Sequence, residues 1–184
     1  MPGNKIRKYD TWHAMGQGAT TGSLVVTLEA LKEMHLTPED IQLIQNDTKT
    51  CPDTGMAGAS RSLYMDGNAT IIAANKLLAA MRKEDGTLRT YDEMKAEGIE
   101  TKYLGRYETN TTPGLCRLDP NTGIGDPTPA FTYCLNLAEV EVDTKTGKTT
   151  VLKFACVDFV GRIGNIDAVN GQAYSGIMHG IGFA

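Results

Sequence analysis

Apolar and polar positions along the chain switch between two periods, and the switches mark its elements. Lys5 to His13 alternates as a strand does, after a Pro2-Gly3-Asn4 turn; a hairpin partner for it is expected upstream of Met1. Leu24, Val25, Leu28, Leu31 and Met34 then recur at helical spacing. Thr37-Pro38-Glu39-Asp40 offers a hydroxyl N-cap with Pro at the first position of a short helical turn, and Ile41 to Gln45 reads as a strand. The longest helical pattern carries Leu63, Ile71, Ala74, Leu77, Leu78 and Met81 on one face and ends near Arg82-Lys83. Gly67 interrupts it, either as a weak spot or as a point of close packing against a backbone or ligand.

Further along, Tyr91 to Gly98 predicts a short helix and Lys102 to Glu108 a strand. Thr109 to Pro129 is rich in Thr, Pro, Gly, Asn and Asp, which predicts a long loop; loops beyond about 12–15 residues are usually functional or disordered. From Phe131 to Val157 the pattern is a hairpin with one wet face. Ala138, Val140 and Val142 alternate with Glu139, Glu141 and Asp143, the turn is Thr144 to Lys148, and Leu152, Phe154 and Cys156 alternate on the return. Asn170 to Ala184 is helical in pattern, although it contains Gly176, Gly180 and Gly182 and lacks a polar cap. The fold class is α+β. An unpartnered first strand and an uncapped apolar last helix lead to the expectation of a single domain over 1–184, incomplete at both ends.

Composition narrows the function classes. With 184 residues, 41% of them hydrophobic, the chain can bury a real core. A net charge of -4 and a pI near 5.4 argue against nucleic-acid or membrane surfaces, which call for clustered Lys and Arg. Cys51, Cys116, Cys134 and Cys156 form no C-x-x-C pair and read as reduced, mostly buried thiols. No signal-peptide pattern and no apolar run of roughly 20 residues is present, so the expected setting is the cytoplasm.

Candidate chemistry lies in three runs of small and hydroxyl residues: Met15-Gly16-Gln17-Gly18-Ala19-Thr20-Thr21-Gly22, Gly55 to Ser62, and Gly171-Gln172-Ala173-Tyr174-Ser175-Gly176. A helix start without bulky side chains lets unpaired backbone N–H groups approach an anion, and the helix dipole favours negative charge there. Each run alone is more often an ordinary helix cap or packing site. Gln17 and Gln172 add amides suited to a heterocycle edge, so together the runs suggest a large, phosphate-bearing ligand.

The chain resembles the molybdenum hydroxylases, the xanthine dehydrogenases and aldehyde oxidoreductases, in the molybdopterin-binding part of their large subunit. The resemblance rests on Tyr9-Asp10-Thr11-Trp12, Met15-Gly16-Gln17-Gly18, Asp53-Thr54-Gly55, Ala57 to Ser62, Ala138 to Asp143, Val160-Gly161-Arg162 and Gly171-Gln172, in this order and spacing. It is nearest to the bacterial aldehyde oxidoreductase branch, which implies molybdopterin cytosine dinucleotide as cofactor. Residue by residue, it implies that Gln17, with Gly18, contacts the cofactor, that Ala57, Gly58, Ala59, Ser60, Arg61 and Ser62 hold the pterin and phosphates, and that Gln172, with Ala173, contacts the pterin. The protein gives the metal few or no ligands in this family, so no metal-binding side chain is expected.

The same resemblance implies hydroxylation of an aldehyde or heterocycle with oxygen from water, a glutamate in a Gly-x-Gly-Glu motif acting as general base. That glutamate is expected beyond Ala184. Gly123-Ile124-Gly125-Asp126 falls too early to be the motif, and Gly180-Ile181-Gly182-Phe183 has Phe in place of the base. Phe159 also departs from the family, which commonly has Asp before Val-Gly. Iron–sulfur clusters are expected only in the parent enzyme. Implied partners are the remainder of the large subunit or a complementing chain, and a small aldehyde or heterocycle, with homodimerisation of the parent as one option. Against this stand a non-catalytic pterin-dinucleotide module and an inactive truncated product.

Overall fold

The computed structural model describes residues 5–55, 57–58, 61–108, 118–125 and 131–184. The chain divides into two compact units, Met1–Pro129 and Ala130–Ala184.

In the first unit, β1 (Ile6–Asp10) and β2 (Ile41–Gln45) pair in parallel, Ile6 opposite Ile41 and Asp10 opposite Gln45. Parallel neighbours need a crossover, and α1 (Ala19–Ala30) supplies it. β1 therefore has a partner downstream on one of its edges, which its alternation did not reveal, since alternation marks a strand but not its neighbours. After α1, Thr37 opens the expected 3-10 turn at Pro38–Asp40. Asp40 there accepts the Thr37 N–H at 2.9 Å and its hydroxyl at 2.8 Å.

The inward face of α1 is not the predicted one. Ala19, Ser23 and Thr27 are buried, followed at the same four-residue spacing by Leu31, while Leu24, Val25 and Leu28 stay half-buried. The reason is a buried carboxylate: Ser23 donates its hydroxyl to Asp10 at 2.6 Å, and Thr27 donates back to the Ser23 carbonyl at 2.7 Å. Hydroxyls face inward because a charge there requires donors.

Helix α2 (Arg61–Met81) buries Gly67, Thr70, Ala74, Leu78 and Met81. Leu31, Ala74 and Leu78 form the core, with Ile6, Met34, Leu36 and Leu77 packed around them. Leu63 and Ile71, expected on this face, are exposed instead. Gly67 meets α1, where an added Cβ would lie 4.0 Å from Val26 Cγ1, an ordinary contact. Close packing is thus not what requires glycine there. Gly67→Ala is expected to raise stability by up to about 1 kcal/mol through helix propensity. Urea unfolding checks this, and a loss instead would mean that the two helices tolerate no extra methyl.

Helix α3 (Tyr91–Ala96) begins at Thr90, which caps the Glu93 N–H at 3.2 Å while Glu93 accepts the Thr90 N–H at 2.7 Å. Met94 is its buried anchor. The strand expected at 102–108 does not form. That segment is irregular and lies along α2: Lys76 donates to the Leu104 carbonyl at 2.9 Å, and the Tyr107 and Tyr64 hydroxyls meet at 3.0 Å. Its backbone finds partners on a helix flank rather than in a ladder. Most of the expected 109–129 loop lies outside the described residues; within 118–125, Asp119 closes a turn by accepting the Gly123 N–H at 2.8 Å.

The second unit is a hairpin and a helix. β3 (Tyr133–Val142) and β4 (Thr149–Phe159) are antiparallel. Asp143 organises the turn, accepting the Gly147 N–H at 2.7 Å on its carbonyl and the Thr146 hydroxyl at 2.8 Å on its carboxylate. The wet face is not polar throughout. Glu139 and Glu141 share a face with Tyr133, Leu135 and Leu137, which stand opposite Phe159, Val157 and Ala155. Tyr133, Leu135, Leu137, Val157 and Phe159 are all between 67% and 72% exposed. A bulge also leaves Leu152 without a cross-strand partner, so Val151 rather than Leu152 faces Val140. Phe159, the departure from the family pattern, stands opposite Tyr133 at the end of the ladder.

Helix α4 (Ile166–Phe183) starts earlier than its apolar pattern suggests, because Asn165 caps it by accepting the Ala168 N–H at 3.1 Å. The three described cysteines are free, but Cys134 is exposed and Cys51 and Cys156 half-buried, so the expectation of mostly buried thiols is corrected for these; Cys116 lies outside the described residues.

Candidate cofactor-binding site

In the first unit a cleft of about 1760 Å³ runs the length of α2, bounded by β1, by residues 50–57 and by the segment 100–108. Small-molecule pockets typically enclose about 300–1,000 Å³, so this is a groove rather than a shaped substrate pocket. Charged residues line it along its length, and one end is built by two polar loops. Thr11 and Thr54 join the two loops there with hydroxyls 2.6 Å apart, Thr11 reaches the Pro52 carbonyl at 2.9 Å, and Asp53 accepts the Gly55 N–H at 2.9 Å.

Ala57, Arg61 and Ser62 line this end. The Arg61 N–H closes onto the Gly58 carbonyl at 3.1 Å, which fixes where α2 begins. Neither the Arg61 guanidinium nor the Ser62 hydroxyl makes a hydrogen bond among the described residues. Ala59 and Ser60, also expected at the site, lie outside them.

Gln17 and Gly18 sit where α1 begins. Gly18 is the N-cap with φ 84°, a left-handed conformation that glycine adopts without strain, and no side chain caps the turn that follows. The first N–H groups of α1 are therefore available to an anion. Gln17 is turned onto its own loop, donating to the His13 carbonyl at 2.8 Å and accepting the Met15 N–H. One amide proton remains for another partner.

Gln172 and Ala173 belong to the second unit, in the second turn of α4. The reading of Gly171 to Gly176 as a helix start is corrected: these amides already belong to the helical ladder. Gln172 offers only its exposed side chain. The glycines around it have no packing reason within the unit, since a Cβ added at Gly171, Gly176, Gly180 or Gly182 meets no atom within 4 Å.

Beneath the polar end lies a network that sequence reasoning missed. Asp10, 2% exposed, accepts Ser23 at 2.6 Å, Gln45 Nε2 at 2.6 Å and the Trp12 N–H at 3.4 Å. Lys8 Nζ lies 3.0 Å from Asp10 Oδ2 and 3.2 Å from Asp66 Oδ2, and donates to Ser23 Oγ at 2.7 Å. Burial would raise the Asp10 carboxyl, but the Lys8 ammonium and the Ser23 and Gln45 hydrogen bonds outweigh it and hold the group below its ordinary value. Burial wins at Asp66, whose carboxyl is raised, with Asp10 adding to the effect and Lys8 opposing it. One turn past Asp66, the Thr70 hydroxyl is buried and has no hydrogen-bond partner among the described residues. The inward Ser23 and Thr27 on α1 were the available signal for a buried charge.

A pyrophosphate-bearing heterocycle needs anion donors, a cation and amide edges. Arg61 and Ser62 line the cleft, whereas Gln17 and Gly18 are not among its lining residues; by type alone, the α1 amides, Arg61, Ser62 and the spare Gln17 proton are donors that such a group can use.

The comparisons agree on the class of protein. The model of the molybdopterin cofactor-binding domain matches residues 3–184, and the chain belongs to that family. It is 38% identical over 179 residues to an aldehyde oxidoreductase of Megalodesulfovibrio gigas, covering 97% of this chain and 19% of that protein. A probable hypoxanthine oxidase of Escherichia coli K12 is 30% identical over 182 residues, with 92% and 19% covered. The crystal structure of the aldehyde oxidoreductase from Desulfovibrio desulfuricans superimposes with a TM-score of 0.90 at 42% identity, over 98% of this chain and 19% of that one. The chain thus spans about a fifth of the length of these relatives. Among the described residues no helix is long and apolar enough to cross a membrane.

Proposed function

We propose that this chain supplies pterin- and phosphate-holding segments of a molybdenum-dependent aldehyde oxidoreductase, with molybdopterin cytosine dinucleotide as cofactor and a small aldehyde or heterocycle as substrate. The observation that carries the reading is the end of the cleft where Arg61 and Ser62, with no hydrogen-bond partner among the described residues, flank the first turn of α2. Arg61 pairs with a phosphate oxygen, Ser62 donates a hydroxyl proton, and the Gly18-capped start of α1 offers backbone N–H groups. Gln17 presents its remaining amide proton, and the exposed side chain of Gln172, in the second unit, is taken by itself as a pterin contact. Bound there, the cofactor supplies hydroxylation with oxygen taken from water. The general base and the iron–sulfur clusters belong to the rest of a large subunit, of which this chain spans the equivalent of about a fifth.

The test is the molybdenum and pterin content of the full-length protein after gel filtration, measured by mass spectrometry. Losing a charge-assisted hydrogen bond costs about 1.5–3 kcal/mol, so Arg61→Ala should weaken retention by roughly 10- to 150-fold. Ser62→Ala should have a smaller effect. Unchanged pterin content in both variants would defeat the assignment of this end of the cleft.

A further inference from the structure

A single ammonium joins the elements on which the proposed cofactor contacts stand. Lys8, on β1, reaches Asp10 at 3.0 Å, Ser23 on α1 at 2.7 Å and Asp66 on α2 at 3.2 Å. Ser23 lies one turn beyond Ala19, where α1 starts, and Asp66 one turn beyond Ser62. Asp10 extends the network to the Trp12 N–H and to Gln45 on β2. All three charged side chains are nearly sealed from solvent, at 11%, 3% and 11% exposure for Lys8, Asp10 and Asp66.

Apolar packing holds the helices together deeper in the unit, around Leu31, Ala74 and Leu78. Near their first turns the contact is charged and hydroxylated instead. Such a centre is a poor way to gain stability, because an apolar replacement of similar volume is often as stable or more so. It does constrain geometry, since charge-assisted hydrogen bonds are short, about 2.7–2.9 Å, and both carboxylates must stay within reach of one ammonium.

We propose that Lys8 is a positioning residue whose ammonium, held between Asp10 and Asp66, sets the separation of the first turns of α1 and α2 and thereby the spacing of the cofactor contacts at Gly18, Arg61 and Ser62. This rests on the cofactor-holding reading above.

The test places spin labels at the exposed positions Thr20 and Leu63 in the full chain with its cysteines replaced by serine. Dipolar EPR then reads the distance between the two helix starts, and pterin content is measured in parallel on the full-length protein. Unsubstituted protein is expected to give one narrow distance. Lys8→Met is expected to broaden it at least twofold while melting stays cooperative, and to lower pterin retention at least tenfold. Lys8→Arg, which keeps a cation between the carboxylates, is expected to restore the narrow distance. If Lys8→Met does not melt cooperatively, Asp66→Ala is read by the same criteria. A folded variant with the unsubstituted distance, or one with a broadened distance and full pterin retention, overturns the inference. Full retention in Arg61→Ala and Ser62→Ala would instead remove the reading beneath it.

Discussion

Gly105→Ala is expected to destabilise the first unit by about 2–3 kcal/mol, near the upper end of what overpacking costs. An ideal Cβ at this position would lie 1.8 Å from the Ala69 carbonyl oxygen and 2.9 Å from the Ala73 nitrogen. Both are backbone atoms in the middle of α2, and neither can rotate aside. The segment around Gly105 must therefore lift off the helix, weakening the Lys76 bond to Leu104 and the edge-to-face pair of Tyr64 and Tyr107, whose ring centroids are 5.7 Å apart. For a chain of this size the penalty corresponds to a fall in melting temperature of roughly 4–12 °C. Gly171→Ala is the control, because its new Cβ meets no atom within 4 Å and alanine favours a helix. Melting followed by circular dichroism should separate the two variants clearly. Equal melting curves would show that residues around Gly105 do not rest on α2 as described.

That glycine also shows where the sequence stops being readable. Lys102 to Glu108 alternates well enough to resemble a strand, and nothing local reveals that it follows a helix flank at backbone contact distance. Local signals were legible in the Thr37-Pro38 turn, the short helix from Tyr91 and the hairpin turn at Thr144 to Lys148, and a sustained apolar repeat was legible in α2. Strand partners were less so, because β1 and β2 are joined across a helix and alternation is blind to what lies beside a strand. The inward face of α1 was misassigned by hydrophobicity alone, since its buried positions include Ser23, which donates to Asp10, and Thr27, which donates to the Ser23 carbonyl.

Two of the helix starts were legible for a different reason. Small residues before a helix leave a chemical trace in the sequence, and the runs at 15–22 and 55–62 do lead into α1 and α2. At 171–176 the trace misled, because Asn165 had already started the helix. Glycines in mid-helix permit close approach along a flank without freeing any amide. The Lys8–Asp10–Asp66 centre left no such trace, since its members lie up to 58 residues apart and each looks ordinary alone.

Acid titration should expose that centre through two opposite limbs. Asp10 is held below the ordinary carboxylate value of 3.8, so the unfolded chain takes up its proton first as pH falls. The stability it contributes is complete above 3.8 and is lost as pH drops through the lower folded value. Asp66 is raised above 3.8, so the folded chain binds its proton more tightly. Its burden is felt at higher pH and relieved as pH falls through the raised value towards 3.8. Asp66→Asn is therefore expected to remove a gain in stability above 3.8, whereas Asp10→Asn removes a loss below it. Exposed acids contribute to the second limb in every variant, among them Glu93, held at about 2 by Lys83 and the Thr90 hydrogen bonds, so differences from the unsubstituted chain are the quantity to read. Asp10→Ala should be the most damaging change, costing about 3–5 kcal/mol near neutrality, because it strands Ser23, Gln45 and half of the Lys8 pairing in a buried site. Urea unfolding across the acid range measures all three. If the Asp10→Asn and Asp66→Asn curves run parallel to that of the unsubstituted chain, the two carboxylates do not share a buried cation.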